Sequence, residues 1–404
     1  MVRKDAVIIF GDTFTFPDGN AATNRVYTFA KGFYENKIES FVICFRNDYV
    51  ETVEGSVDGI HYYHPFNQVK RSTSFFKRRF VKLYKYFRAY RTIRSINHDH
   101  TIIAINLWTN RLWVQIYIYF LGLVFRTIII HEHSEHPLRE YQKPGIKNIW
   151  GETKSYLGTR LCDGIFCISK YLINFYHERG VKDRKLILVP STVDTERFLN
   201  KGLPPLPYEY ILYCGSLTIQ KDGVDILVDS FERVSREFPD IKLVLLGKGD
   251  SLSEESDIKR KVKELDLTED VQLLGQLSRT EVPAYICHAK ILALARPRSI
   301  VADAGFPSKL TEYLSSGKPV VVTKVGEIPD YLIDSEHAFL SEPNNAEEFA
   351  NKLLFVLHNY DNALIVGNKG KRLTETTFNY NYQAKRMVEF IRSLNQHLSP
   401  ANRM

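Results

Sequence analysis

The stretch Ala304-Gly305-Phe306-Pro307-Ser308-Lys309-Leu310-Thr311-Glu312-Tyr313-Leu314, followed by Gly317-Lys318-Pro319-Val320-Val321-Val322, decides how this chain is read. It describes a loop that becomes a short helix at Pro307-Ser308, stops near Gly317 and enters a buried strand. The first turn of such a helix carries N–H groups without an intrahelical partner and a partial positive charge, so it receives phosphate. Glu312 lies one to two turns further on. Two readings fit: an ordinary loop-helix-strand unit of an α/β domain, or a site for a diphosphate that carries a sugar and a ribose.

Working outward, strand-like runs alternate with helical patterns along the whole chain, as in parallel sheets built from βαβ units. The first half offers strands at 6–10, 40–45, 101–106, 126–131, 164–169 and 185–190, with amphipathic helices at 21–34 and 75–93. The second half offers strands at 210–214, 241–246, 271–274, 291–295 and 319–323, with helical patterns at 223–238, 257–265, 279–288, 308–315 and 346–357. Each half resembles a doubly wound sheet. The seam lies near Pro190-Ser191-Thr192-Val193-Asp194 and the Pro-rich segment 200–207, and the last amphipathic stretch, Tyr380 to His397, is placed to pack back across it. In open α/β sheets ligands bind beyond the carboxyl ends of the strands, which directs attention to a crevice between the two sheets.

Bulk properties narrow the class. A chain of 404 residues exceeds one ordinary core, and 44% hydrophobic with 25% charged residues is a soluble globular balance. The five cysteines have no C-x-x-C pairing and read as buried thiols in a reducing compartment. No signal peptide is apparent and the expected location is cytoplasmic. The longest apolar run, Leu112 to Phe125, is below the roughly 20 residues a membrane span requires, so it reads as a buried helix of a layered core.

Charge is uneven: residues 1–190 hold 28 Lys+Arg against 17 Asp+Glu, an excess of +11 within a total of +7. The excess concentrates in residues 70–94, where Lys77, Arg78, Arg79, Lys82, Lys85, Arg88, Arg91 and Arg94 interleave with Phe75, Phe76, Phe80, Leu83, Tyr84, Phe87 and Tyr90. Three readings compete: a solvated helix face, an anionic membrane surface on the inner leaflet, and nucleic acid. No nucleic-acid motif accompanies the patch, and nucleic acid is set aside as a partner.

Three further constellations bear on chemistry. Gly215-Ser216-Leu217 with Lys221 follows directly on a strand; small residues let a phosphate approach the backbone, and a lysine at a helix start opposes the macrodipole unless it serves an anion. The loop Gly11 to Asn20 is long for a βα connection and leads into Ala21 to Arg25, which suggests substrate contact. His131-Glu132-His133-Ser134-Glu135-His136-Pro137 invites a metal reading, but no second cluster completes tetrahedral ligation and no Asp-x-Asp holds a divalent ion. A histidine at a strand tip offering a donor or a carbonyl to a sugar is the better reading, and no metal is expected.

Taken together these residues resemble a glycosyltransferase of the GT-B fold, similar to family 4 of the retaining enzymes and to its bacterial envelope-polysaccharide members, over nearly the whole length. The family segment E-G-F-G-x-x-x-x-E corresponds to Ala304 to Glu312, with Ala304 in place of the first glutamate and Asp303 one residue out of register. The family's Gly-Arg-Leu is Gly215-Ser216-Leu217 here, so its arginine is absent, and Lys309, Arg296 or Arg298 is the candidate replacement charge. Val189-Pro190-Ser191-Thr192-Val193-Asp194 with Phe198 resembles the interdomain motif, and Gly326-Glu327-Ile328-Pro329 a turn after the strand that follows the donor helix.

The resemblance implies an α/β chain of two facing Rossmann-like domains with an interdomain cleft: residues 1–192 on the acceptor side, 193–379 binding the nucleotide sugar, and 380–404 a helix crossing back. It implies a metal-independent, cofactor-free transfer from a nucleotide-diphosphate sugar to a glycan or polyprenyl-linked acceptor. His131 and Lys221 would be catalytic. Gly215, Ser216, Lys221, Arg298, Gly305, Phe306, Pro307, Ser308, Lys309 and Glu312 would bind the donor, with Asp18, Gly19, Asn20 and Arg25 on the acceptor side. Two rivals share the fold: a nucleotide-sugar 2-epimerase, and a non-catalytic subunit of a glycan-assembly complex, the latter suggested by Ala304 and Ser216.

Overall fold

Apolar runs such as Ala6-Val7-Ile8-Ile9-Phe10, wholly buried, become parallel strands covered on both faces. The computed structural model describes residues 3–19, 21–137, 146–199, 202–249 and 251–397. Contacts divide the chain into two units. The first holds the chain up to Pro190 together with the C-terminal helix, and the second spans Ser191–Asn379.

The first unit runs β1 (Lys4–Gly11), α1 (Ala21–Glu35), β2 (Glu39–Cys44), β3 (Glu54–Val57), β4 (Ile60–Tyr63), α2 (Phe75–Asp99), β5 (His100–Trp108), α3 (Leu112–Phe125), β6 (Ile128–His133), α4 (Ile146–Arg160), β7 (Gly164–Cys167), α5 (Lys170–His177) and β8 (Leu186–Leu188). Its sheet has the order β3-β4-β2-β1-β5-β6-β7-β8, parallel except for β3, which pairs antiparallel with β4. That hairpin is absent from the sequence reading. Its outer strand alternates exposed and half-buried residues, so it lacks the apolar run that marks the others.

The second unit runs β9 (Tyr210–Cys214), α6 (Ile219–Asp222), α7 (Val224–Glu237), β10 (Lys242–Leu246), α8 (Leu252–Glu264), β11 (Val271–Gly275), α9 (Val282–His288), β12 (Ile291–Leu294), α10 (Ile300–Ala304), α11 (Ser308–Ser316), β13 (Val320–Thr323), α12 (Ile328–Tyr331), β14 (Phe339–Ser341), α13 (Ala346–His358) and α14 (Tyr360–Glu375). The wholly parallel order β11-β10-β9-β12-β13-β14 reverses direction at β9 and β12, and the loops after these central strands form the place where such sheets bind ligands.

In the first unit, Val7, Ile9, Phe29, Phe33, Ile130 and Phe166 form a core closed by Met387 and Ile391 of α15 (Tyr380–His397). Helices α2 and α3 serve the opposite face, where Phe10 meets Phe45 at 4.8 Å and Tyr117 at 6.5 Å. Of α3, only Val114, Gln115, Ile118, Leu121 and Gly122 are buried. The expectation of a buried helix is therefore corrected: one face of α3 packs on the sheet, and Trp113, Phe120, Leu123 and Val124 point to solvent. A run apolar on all sides has no period by which the sequence could mark its exposed face.

Helix α15 approaches α1 closely because Gly32 has no side chain; a Cβ there would lie 2.6 Å from the Ala384 Cβ and 3.0 Å from the Tyr380 carbonyl oxygen. We expect Gly32→Val to destabilise the protein by about 1–3 kcal/mol through overpacking, read as a lowered urea midpoint.

Candidate functional site

In the second unit the start of α11 is fixed against the end of β9. The Cys214 amide donates to the Tyr313 hydroxyl at 2.7 Å, and Lys309 Nζ donates to the Tyr213 hydroxyl at 2.8 Å. The same ammonium lies 2.8 Å from Asp222 Oδ2. A Cβ at Gly215 would sit 2.3 Å from Lys309 Nζ and displace the end of that side chain, so the turn after β9 lies directly against Lys309 of α11. Helix α11 begins after Pro307 with no side-chain cap and ends at Gly317 in the left-handed region. Gly305, Phe306 and Pro307 are buried, the Phe306 ring lying 5.4 Å from Tyr331 and 5.3 Å from Phe378. Ser308 is half-buried and Ser216 exposed. The turn at Gly215 and the first turn of α11 thus lie next to each other.

Asp222 is the electrostatic centre of this arrangement. Besides Lys309 it has Arg296 Nε at 3.8 Å and accepts from the Tyr213 hydroxyl at 3.1 Å and the Thr218 hydroxyl at 3.4 Å. Burial pushes its carboxyl up, but Lys309, Arg296 and Lys221 more than offset this and hold it below the ordinary aspartate value. Arg296 also donates to the Lys221 carbonyl at 3.2 Å, tying α6 to the end of β12.

These contacts revise several expectations. Lys309 is not a spare charge for a ligand, because its ammonium is committed to Asp222 and Tyr213. Arg296 is likewise turned inward, 3% exposed. Of the three candidate replacements for the missing arginine, Arg298 remains solvent-exposed, in the segment between β12 and α10. Lys221 does not start a helix: it lies at the end of the one-turn α6, where a cation agrees with the helix dipole. Its side chain is half-buried and its charge reaches Asp222. Glu312 is held by Arg197 Nη1 at 2.8 Å, and Arg197 Nη2 donates to the Arg279 carbonyl at 2.9 Å. Ala304 is buried at the end of α10, and Asp303 beside it is half-buried.

In the first unit Asp18 and Gly19 are exposed at the tip of the loop after β1, which is stitched by Thr15 Oγ1 to the Asp18 carbonyl and Thr23 Oγ1 to the Thr15 carbonyl, both 2.7 Å. Asn20 lies outside the described residues. Arg25 is corrected from an acceptor contact to an internal tie. Its guanidinium donates to Glu132 Oε1 at 2.8 Å and to the Pro190 and Val189 carbonyls, both at 2.7 Å, and stacks 4.6 Å over Phe29. Burying a charge requires partners of this kind, and they leave the head group facing inward.

His131 is corrected in the same way. Its Nε2 must donate, because its partner at 3.1 Å is the Thr109 carbonyl, and Nδ1 then accepts from His133 Nε2 at 3.2 Å. Both nitrogens are engaged and the ring is 3% exposed, lining a cavity of about 30 Å³ shared with Asn110, Gln115, His133 and Ser155. His136 packs on Tyr171 and Phe175, and Glu132 is committed to Arg25. His131, Glu132 and His136 of the histidine-glutamate run are thus internal polar groups, whereas Glu135 is exposed. Among the described residues no three His, Cys, Asp or Glu side chains converge to hold a metal ion.

Sequence reasoning missed Asp222, Tyr213, Arg296 in its tying role, and Arg197. A signal for the first was present: Lys221-Asp222-Gly223 places a carboxylate between a lysine and a glycine at a turn, with nothing local to pair it.

Two outcomes follow. Burial lowers the His131 pKa to about 4, and a group depressed below its unfolded value near 6.5 favours folding fully above that pH and loses its contribution as pH falls towards 4. Urea unfolding should therefore show stability declining between pH 6.5 and 4 by up to about 3 kcal/mol from this ring, a slope that His131→Asn reduces. Removing the central carboxylate with Asp222→Ala leaves Lys309 and Arg296 uncompensated, and is expected to cost about 3–5 kcal/mol in the same measurement.

Comparison with known proteins bears on the fold and the family. The model for glycosyl transferases group 1 matches residues 194–375, and that for glycosyltransferase family 4 matches residues 22–197. An uncharacterised glycosyltransferase of Methanocaldococcus jannaschii is 27% identical over 59% of this chain and 60% of its own. A GDP-mannose-dependent alpha-(1-6)-phosphatidylinositol monomannoside mannosyltransferase of Mycolicibacterium smegmatis is 22% identical over 57% of this chain and 62% of its own. The chain thus matches about 60% of the length of these relatives. The structure of Anabaena HepE in complex with UDP and glucose covers 96% of this chain and 100% of that one, with a TM-score of 0.69 at 15% identity, a likeness of fold. With its two units matched in turn by the two models, this chain belongs to the family-4-like glycosyltransferases of the GT-B fold.

Proposed function

We propose that this protein moves a sugar from a nucleoside-diphosphate sugar to an acceptor hydroxyl on a lipid-linked glycan, with retention at the anomeric carbon, in cell-envelope polysaccharide synthesis. One observation carries the reading: the uncapped start of α11 is locked beside the Gly215-Ser216 turn, over a cluster in which Lys221, Arg296 and Lys309 outnumber Asp222. Clustered cations beside the first-turn amides of a helix suit a diphosphate. The UDP and glucose bound by HepE, and the lipid acceptor in the name of the mycobacterial mannosyltransferase, support the two substrate classes.

In this reading the bond from the anomeric carbon to the diphosphate oxygen breaks while the acceptor oxygen bonds to the same face of that carbon. The transition state has oxocarbenium character. Charge building on the departing diphosphate is met by Lys221 and the amides of Gly305, Phe306 and Ser308, with Arg298 as the accessible second cation. The acceptor proton passes to a diphosphate oxygen, so no second carboxylate is required. Glu312, oriented by Arg197, takes the ribose hydroxyls.

A thermal-shift panel of UDP, GDP, CDP, ADP and their sugars tests the donor class. One base should raise the Tm by several degrees at about 100 times its Kd, and Lys221→Gln should reduce that shift. Arg197→Met should weaken nucleoside diphosphates relative to pyrophosphate, because Glu312 loses its orientation. Turnover with a polyprenyl-linked sugar then decides the reaction: transfer supports the proposal, a free epimer identifies a 2-epimerase, and binding without turnover identifies a non-catalytic subunit.

A further inference from the structure

Helix α2 is turned contrary to its composition. Its buried side is Lys85, Ala89, Ile93 and Ile96, and Lys85 reaches the Phe45 carbonyl at 3.0 Å and Asn47 Oδ1 at 2.7 Å. Its outer side carries Phe76, Phe80, Leu83 and Phe87, exposed by 83%, 65%, 70% and 49%. The spacing of four, three and four residues aligns them in one stripe within about 60° of the helix circumference. Lys77, Arg79, Lys82, Arg91 and Arg94 are exposed on the same helix, and Ser74 caps its start by accepting from the Lys77 amide.

Helix α3 lies directly alongside. Tyr117 of α3 donates to the Tyr86 carbonyl of α2 at 2.7 Å, their rings are 5.0 Å apart, and Tyr90 meets Phe125 at 5.9 Å. Beyond this seam α3 exposes Trp113, 78% accessible, with Phe120, Leu123 and Val124. Exposed Arg111 and Arg126 stand at its two ends. The two helices together present an aromatic and aliphatic surface edged by cations.

We infer that the outer face of α2 and α3 inserts in the plane of an anionic lipid leaflet. Among the described residues no helix is long and apolar enough to cross a bilayer, and the 14 residues of α3 span only about 21 Å, so both helices would lie flat. Charge decides between lipid and a second copy of the chain. Helix α2 has eight Lys and Arg against one Asp, so isologous pairing of this face would oppose two strongly basic helices, whereas anionic headgroups satisfy them. Aromatic rings bordered by basic side chains also suit the depth at which headgroups meet acyl chains. The inference deepens the proposed function, resting on it for the lipid-borne acceptor, and it adds an apolar anchor on α3 to the basic segment 70–94.

Flotation of the full chain with phosphatidylglycerol/phosphatidylcholine vesicles, and with phosphatidylcholine alone, tests it. Binding is expected to anionic vesicles only and to weaken as salt rises. Arg79→Gln/Lys82→Gln/Arg91→Gln should lower the partition coefficient about a hundredfold. Trp113→Ser/Phe120→Ser should also release the protein while leaving the nucleotide-induced thermal shift intact. Binding that is absent, indifferent to lipid charge, or unchanged in either variant overturns the inference, as does a dimer in sedimentation that Trp113→Ser/Phe120→Ser dissolves without any vesicle binding. Transfer to a short water-soluble acceptor is measured in parallel; its presence without flotation removes the membrane face alone, and its absence with flotation removes the transferase reading alone.

Discussion

One buried carboxylate organises the second unit. Asp222, with 5% of its side chain exposed, would be costly in a protein interior with a single distant counterion, yet it gathers Lys309, Arg296, Tyr213 and Thr218 around its two oxygens. Each partner comes from a different element: Lys309 is the second residue of α11, Arg296 follows β12, Tyr213 belongs to β9, and Thr218 precedes α6. Satisfying this charge therefore fixes the start of α11 against the turn after β9. The clamp is also lopsided. Three cations, Lys221, Lys309 and Arg296, act on this one carboxylate beside the start of α11, the place where we propose that a diphosphate binds.

Much of the fold was legible because parallel strands buried on both faces announce themselves as apolar runs. Tyr210–Cys214 and the helices Leu112–Phe125 and Tyr380–His397 have the bounds their patterns indicate. What escaped includes α14, whose buried residues Ala363, Gly367, Gly370 and Thr374 are too small to make an apolar stripe, and two strand features: the β3–β4 hairpin, whose outer strand is partly solvent-facing, and the three-residue β14, held by its neighbour β13. Their pairing is supplied by adjacent strands and not by any local signal.

For the site, motifs placed residues correctly along the chain but did not say which charges neutralise one another. Gly215, Lys309 and the start of α11 do come together, and Glu312 lies on the same helix. Arg25, Lys309 and His131 all read as ligand contacts because polar residues next to loops usually are, and in each case the partner that claims them is remote in sequence: Glu132, Asp222 and Thr109. A charged or polar side chain is available to a substrate only if the fold has not already spent it, and spending is a tertiary fact.

The same principle, inverted, explains α2 and α3. In α2 a lysine is buried while Phe75, Phe76, Phe80, Leu83 and Phe87 face water, because the segment just after β2 supplies Lys85 with a carbonyl, an amide oxygen and the face of Phe45 at 4.1 Å. The aromatic stripe on the other side has no such compensation from the sheet, and solvating it in bulk water forgoes the main driving force of folding. A monomer that exposes a contiguous apolar surface of this kind, with cations at its border, sacrifices stability unless another phase takes it up. Because the sheet already satisfies α2 through its polar residues, the apolar ones are left for an environment outside the protein, and an anionic lipid surface is the one we infer for that face.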